Sequence, residues 1–481
     1  MQCQSKLPAH NIKLLNKDIS MLPNIKLIIP ILLVLVFGAT ASSMSKKDNL
    51  PSDEFARRRA IFLEELRELN ACAIFHTAPQ YDRNHDIEYP YRQDSDFIYL
   101  TGWSQKQAIL VLTPQENPEN GAEVSLFVVP RNPKKELWTG PKAGIDEAIV
   151  LPGINQAYDY GDFYTHLGEL IKGYERLVIS YGSDPVFKQK FEEEFEALRN
   201  RPRLVQEASA LLKSHRLIKS QSEIESLEKA IDITHQSLLE VLPLIPAMSF
   251  EYEVQAAIEY GFAKRGADRL GFPSIIGAGK NTTYLHYEDN HGNLASGELL
   301  LMDVGAEWYY YSADISRTVP ISGKFNTEQR AIYQLVLDAQ SAAINKVKPG
   351  VSWRDPHDTA VAFITSGLVD LGLLKGDPAN LIQEKAYRKF FMHGTSHWLG
   401  LDVHDVGGWL GDDGEAHQLK VGMVLTVEPG IYISESENVD PKWWNIGVRI
   451  EDDVLVTRKG YLVLSQAIPK TIQEIETLML P

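Results

Sequence analysis

At 481 residues the chain is too long for one small core, so two or three domains are expected. A formal net charge of -16 and a pI near 5.3 leave no basic stripe to neutralise phosphates, which excludes a nucleic-acid partner or an anionic membrane surface. With Cys3 and Cys72 as the only cysteines, neither a disulfide framework nor a thiolate zinc site can be built, so any metal must be held by oxygen and imidazole.

Residues 1–43 read as a signal-like or extraneous segment. Lys13, Lys17 and Lys26 precede the apolar run Leu27 to Phe37, which continues into Gly38-Ala39-Thr40-Ala41, small residues suited to a signal peptidase. The run is short for a membrane span. One reading is an export signal starting at Met21; the other is upstream sequence, with Met44 opening the functional protein. The second is favoured, because Ser52-Asp53-Glu54 followed by Phe55-Ala56-Arg57-Arg58-Arg59 reads as a capped helix start soon after Met44. It implies a cytoplasmic protein, whereas the first implies export or anchoring through Leu27 to Ala41.

From 45 to 217, short β-rich runs (Ala71 to His76, Phe97 to Leu100, Ala108 to Leu112, Val124 to Val129, Leu177 to Tyr181) alternate with helical stretches, giving an α/β N-terminal domain. A second, α+β domain spans 218–478. It opens with a helix for which Ser222 and Glu225 form a capping box and Ile224, Leu227, Ile231, Leu238 and Leu242 supply the apolar face. Helices over Ser249 to Arg265, closed by Gly266, and Thr327 to Val347, closed by Pro349-Gly350, alternate with long strands.

Four acids in this second half sit inside apolar, strand-like sequence: Asp303 in LLLMDVGAEW, Asp314 in YYYSADISRTV, Glu428 in MVLTVEPGIYI and Glu451 in GVRIEDDVLV. Four converging buried carboxylates repel one another and rise in pKa unless cations hold them ionised. Together with His397 they read as the ligand set of a two-metal hydrolytic site. An oxygen-rich set with one imidazole suits manganese, cobalt or zinc better than copper. Asp303 and Asp314, eleven residues apart, can lie on paired strands, so the ligands are expected on strands rather than loops. Arg449, two residues from Glu451, shares its strand face and is expected to orient it and lower its pKa.

Other patterns are weaker. His393 and His397 have the spacing of a zinc-peptidase helix, but Gly394 stands where that motif has Glu, and Gly-Thr-Ser is poor helix sequence. Gly277-Ala278-Gly279-Lys280 lacks the upstream glycine of a phosphate loop, Ser274 standing there, and Asn281-Thr282-Thr283 is a formal glycosylation sequon close to His286.

Taken together, these segments resemble the pita-bread family of dinuclear metallopeptidases, and within it the bacterial Xaa-Pro aminopeptidase (aminopeptidase P) group. The resemblance runs from about Glu54 to Ile475 and is most specific at Asp303 to Pro320, Met392 to Gly407, Val424 to Tyr432 and Gly447 to Asp453; it includes EYPYRQDSDFIYLTGW, Glu88 to Trp103. It implies a pita-bread catalytic domain behind the N-terminal domain. It implies two divalent ions per chain, with manganese preferred: Asp303 and Asp314 as ligands, the second bridging, His397 and Glu428 on one ion, and Glu451 bridging. It further implies His286, His393 and His404 around the substrate, with Tyr432 and Arg449 lining a pocket for a proline ring. The implied reaction is removal of any N-terminal residue that precedes proline, by a water held between the ions. Glu428 would act as proton carrier, and His404 and His286 would hydrogen-bond substrate and oxyanion. Peptides with proline at the second position are the implied partners, and a homo-oligomer, dimer or tetramer, the implied assembly. At Trp138-Thr139-Gly140-Pro141-Lys142 the family often carries arginines where this chain has Pro141 and Lys142, which leaves specificity beyond the first proline open. The rival readings are a prolidase, which shares the ligand set, and a non-catalytic pita-bread binding protein, which would have lost ligands.

A chain begun at Met44 is expected to fold and to match the full-length chain in activity, since none of the proposed domains lies before it. Insolubility or lost activity would contradict this. N-terminal sequencing of the native protein then locates it: a start at Met44 means cytoplasm, and a start near Ser42 means export.

Overall fold

Six strands form the first sheet, in the order Gln156–Asp159, Val124–Val128, Ala108–Leu112, Ala71–His76, Arg176–Ser180, Leu204–Glu207. The structure is a computed structural model and describes residues 50–114, 123–411, 413–436 and 438–479. The segment 1–43, read above as signal-like or extraneous, lies outside the described residues. Among those described, no helix is long and apolar enough to cross a membrane.

The strand Ala71–His76 runs antiparallel to Ala108–Leu112 and parallel to Arg176–Ser180. Its residues alternate between two cores, as strand geometry requires. Cys72 and Ile74 join Ile109, Val111 and Phe127 beneath the helices Phe163–Leu170 and Pro185–Ala197. Ala73 and Phe75 join Leu110, Leu112 and Leu126 in a core that continues into Tyr311, Leu399, Leu401, Val424 and Leu455. One sheet face is therefore built against the second half of the chain. Cys72 is fully buried, and burial pushes its thiol up to about 12.

Three local expectations are corrected. Phe97 to Leu100 belong to a helix, Ser95–Thr101, in place of a strand. The Asp94 carboxylate accepts the Phe97 N–H at 2.9 Å and Gly102, at φ 66°, closes the last turn, so start and stop signals outweigh the β-preference of the residues between them. Ser52 is the first residue of the helix Ser52–Glu68 and not its cap, Pro51 occupying that place. The helix Gln221–Val241 is boxed by Ser220 and Glu223 instead of Ser222 and Glu225. The Lys219 N–H is bonded to the Gly422 carbonyl at 2.8 Å, which holds the incoming chain extended and sets the helix start two residues earlier.

In the second half, Leu299–Val304 pairs antiparallel with Ile275–Ala278 and with Ile315–Pro320, placing Asp303 opposite Ser316. Val424–Val427 pairs with Asp452–Thr457, and Gly430–Ile433 with Ile446–Arg449. The helices Gln221–Val241, Glu251–Lys264, Thr327–Ile344 and Arg354–Asp370 contribute apolar faces to the large core of this half. Of the five expected ligands only Asp303 lies inside a strand. Asp314, Glu428 and Glu451 each adjoin a strand end and His397 lies in irregular chain, so the expectation of strand-borne ligands is corrected. Carboxylates from separate sheets can meet only where those sheets end against each other.

Replacing Ser220 by alanine is expected to cost about 1 kcal/mol of stability, and Ser222→Ala little. Denaturant unfolding of the two variants checks this; equal losses would contradict the observed cap.

Candidate metal centre

His397 is held from behind. Its N–H is donated to Thr426 Oγ1 at 3.1 Å, its carbonyl accepts from Thr426 N at 3.0 Å, and its Nδ1 faces the Trp398 carbonyl at 3.1 Å. A proton on Nδ1 leaves Nε2 as a free lone pair. That nitrogen lies 3.2 Å from Asp314 Oδ2, 3.6 Å from Glu428 Oε1 and 4.0 Å from Glu451 Oε1. One ligand atom each from Asp314, His397 and Glu451 lie within 4.8 Å of one another. Glu428 is fixed by its own N–H, bonded to the Thr395 carbonyl at 2.8 Å. His393 and His397 are not on a helix, in keeping with the rejection of the zinc-helix pattern.

Arg449 does not pair with Glu451 directly. Its Nη2 donates to Asp303 Oδ2 at 2.6 Å and its Nη1 to the Tyr432 hydroxyl at 3.1 Å. Its Nε reaches Ser316 Oγ at 2.8 Å, and that hydroxyl donates to Glu451 Oε2 at 2.9 Å. Arg449 does pull the Glu451 pKa down, as expected, but the net shift is upward. Burial, then Asp314, Glu428 and Asp303, push it well above the usual carboxylate range, and Arg449 only partly offsets them. Ser316 was not singled out in the sequence, although its place opposite Asp303 follows from the strand register.

A cavity of about 500 Å³ is lined by all five expected ligands and by His286, His393, His404 and Arg449. Phe272, Trp353, Trp398 and Trp409 add aromatic wall that sequence reading missed. Tyr432 is not among the lining residues. It is 2% exposed and stands behind the wall, accepting from Arg449 and donating to His393 Nε2 at 2.8 Å, so its expected place in the lining is corrected. His393 Nδ1 faces the Gly394 carbonyl at 2.7 Å, and burial followed by Arg449 holds this histidine neutral, down to about 3. The His404 ring meets that of His397 edge to face, centroids 4.3 Å apart, and burial followed by His397 lowers its pKa. His286 lies on the exposed side of the cavity.

The acids bear the mark of uncompensated charge. Asp314 is pushed well above the carboxylate range by burial, then by Asp303, Asp453 and Glu428, and burial raises Glu428 to about 7. Asp303 Oδ1 is buried without a hydrogen-bond partner. An acceptor-only oxygen in that state, beside a free imidazole nitrogen and three further carboxylates, fits a divalent cation, because nothing else among the described side chains satisfies it.

Comparison with known proteins agrees with this geometry. Residues 225–458 match the profile of metallopeptidase family M24, and residues 55–179 that of the aminopeptidase P N-terminal domain. The Xaa-Pro aminopeptidase of Haemophilus influenzae is 40% identical over 434 residues, 89% of this chain and 98% of that protein. The chain belongs to metallopeptidase family M24. Aminopeptidase PepP of Pseudomonas aeruginosa superposes with a TM-score of 0.85 at 41% identity, covering 90% of this chain and 98% of that one. Aminopeptidase P from Escherichia coli, solved with the inhibitor Pro-Leu, also gives 0.85 at 36% identity, over 90% of this chain and 98% of its own. The M24 half accordingly has the pita-bread arrangement, behind an α/β aminopeptidase P N-terminal domain, and the family implies divalent metal ions.

Without ions the raised acids bind protons more tightly than in the unfolded chain, and Glu428, at about 7, is about half protonated near neutrality. Because their folded pKa values exceed the unfolded ones, the stability they contribute is present at low pH and is lost as pH rises from about 4.5 towards about 7. The metal-free protein is expected to show a Tm that falls from about pH 5.5 to about pH 8, and a divalent ion should remove that fall. Titrating ions into the metal-free protein near about pH 6.5 should release protons, read by calorimetry in buffers of different ionisation enthalpy. Binding without proton release would contradict the arrangement.

Proposed function

We propose that this chain is a metallo-aminopeptidase that hydrolyses the bond between an N-terminal residue of any kind and a following proline. The observation that carries the reading is the convergence of Asp303, Asp314, His397, Glu428 and Glu451 on one cavity, with an unsatisfied Asp303 oxygen, in a chain similar to Xaa-Pro aminopeptidases over nearly its whole described length. In this reading those five residues would hold two ions, and manganese would be preferred for a set of four carboxylates and one imidazole.

Divalent ions held there would supply Lewis-acid polarisation of the scissile carbonyl and a lowered pKa for the attacking water. Glu428 takes the proton of that water and returns it to the proline nitrogen, a shuttle that requires a carboxylate on the cavity wall able to change protonation state near neutrality. The substrate's free amino terminus sits beside Asp303. His404 and His286 hydrogen-bond the substrate and the developing oxyanion. Arg449 and His393, with Tyr432 bonded to both from behind, form the wall against the proline ring. The bond before proline is a tertiary amide without an N–H, so recognition must come from ring shape instead of a backbone donor.

The domains proposed are 45–217 and 218–478, supported by the separate sheets on either side of Ile218. Association as a dimer or tetramer is supported by the large exposed side chains Leu137 and Trp138, 86% and 90% exposed. A cytoplasmic location is proposed with it, export or anchoring through Leu27 to Ala41 being the alternative.

The test is a panel of Xaa-Pro-Xaa, Xaa-Pro and Met-Ala-Xaa peptides with and without manganese. Cleavage of the first class, abolished by a chelator and restored by manganese, is the expected result; preference for the dipeptide would make the protein a prolidase. Glu428→Gln and His404→Ala should each lower turnover by at least about 10²-fold, the histidine variant keeping its metals. Near-normal turnover of either variant would remove that residue from the mechanism.

A further inference from the structure

The loop that carries His404 is fastened to the N-terminal half by a buried ion cluster. Asp405, next in sequence, is gripped by two cations, with Arg216 Nη2 2.6 Å from Oδ1 and Lys219 Nζ 2.9 Å from Oδ2. Arg216 spreads its guanidinium further, to Asp402 Oδ2 at 2.8 Å and to Asp96 Oδ1 at 2.8 Å. Asp402 Oδ1 accepts from Ser95 Oγ at 2.7 Å, and Arg92 Nη2 donates to the Leu401 carbonyl at 2.6 Å. The side chains of Arg216, Lys219 and Asp405 are 3%, 1% and 2% exposed, so this is an interior cluster and not a surface pair. Asp96, Asp402 and Asp405 meet Arg216 and Lys219, and Arg92 stands 3.5 Å from Asp402 while pairing at 2.9 Å with Glu307, which Arg269 also holds, so four carboxylates face four cations.

Two further contacts make the grip rigid. The Asp405 N–H bonds the Trp398 carbonyl at 2.9 Å, one residue beyond His397. Gly400 leaves room for the Asp405 carboxylate, with which a side chain there would collide. The backbone on the C-terminal side of His404 is thereby locked to the residue following a candidate ligand and to the N-terminal half at once. Hydrophobic packing alone could have joined the two halves, as Leu399 and Leu401 already do. A buried ion cluster adds direction, since its bonds are satisfied in one geometry only.

We propose that Asp405, with Arg216 and Lys219, is a positioning residue for His404, and that the N-terminal domain takes part in the reaction by holding this loop through Arg92, Ser95 and Asp96. The inference rests on the assignment of His404 to the substrate made above. A displacement of about 1 Å in a group that contacts the reacting atoms costs on the order of 10²-fold in rate, so loosening this grip should act on turnover through His404.

The experiment is a double-mutant cycle on the full chain loaded with manganese. The wild type, Asp405→Asn, His404→Ala and the double variant are compared for kcat and KM on an Xaa-Pro tripeptide, with metal content and Tm recorded. Asp405→Asn is expected to lower kcat by about tenfold or more with KM nearly unchanged, and to change kcat by less than about twofold once His404 is alanine. Equal losses in both backgrounds would show a staple that acts on the fold as a whole, and no loss in either would show an inert cluster; each overturns the inference while leaving His404 in place. An inert His404→Ala would overturn the reading of His404 and this inference together. Ser95→Ala, which removes one hydrogen bond to Asp402 and leaves every charge present, decides by the same comparison should Asp405→Asn not fold, with an expected loss of about threefold.

Discussion

Four carboxylates held inside one protein cavity are the constraint around which the second half of this chain is organised. Asp303, Asp314, Glu428 and Glu451 come from different strand ends, and no single sheet could present all four to one point. The run Glu451-Asp452-Asp453 shows three answers to the same burial problem in consecutive residues. Glu451 faces the cavity and is raised by its neighbours. Burial works against Asp452 as well, yet Arg317 and Lys470 keep it below the usual range. Asp453, raised well above that range by burial, accepts the Asp314 N–H at 3.2 Å and so supports a candidate ligand from beneath. Alternation turns Asp452 away from the cavity, and the hydrogen bond to the Asp314 N–H keeps Asp453 behind it, so that of the three only Glu451 lines it.

Much of this was legible in the sequence because acids inside apolar strand-like runs violate the ordinary pattern of burial. The acids Asp303, Asp314, Glu428 and Glu451 stood out on that ground, and the resemblance to the pita-bread family supplied His286, His393 and His404. Partners one layer out were not legible. Ser316 is an unremarkable serine in SADISRTV, and its role as a bridge between Arg449 and Glu451 emerges only when Leu299–Val304 and Ile315–Pro320 are in register. For the same reason Arg449 was assigned to Glu451, its neighbour in sequence, when its shortest bond runs across to Asp303. Local errors have local causes: aromatic and β-branched residues at Phe97 to Leu100 suggested a strand, and a cap and a left-handed glycine outside that window decided for a helix.

The two halves share more than a linker. One face of the N-terminal sheet has a common core with Leu399, Leu401 and Val424, and the segment Arg92 to Asp96 directs polar side chains at the loop leading to His404. The segment Glu88 to Trp103 was conspicuous in the sequence as a match to a family, without a physical reason for its polar residues. For Arg92 and Ser95 the reason is contact with residues 401–402, and for Asp96 it is the shared Arg216.

Cys72 lies at 0% exposure in the middle strand of the first sheet, its thiol too weakly acidic to ionise at neutral pH. In a chain shortened to Met44 it is the sole sulfhydryl. A thiol-reactive dye added to such a chain has nothing to label until the sheet opens, so the rate of labelling is a clock for opening of the N-terminal domain, readable separately from loss of metal or of turnover in the other half.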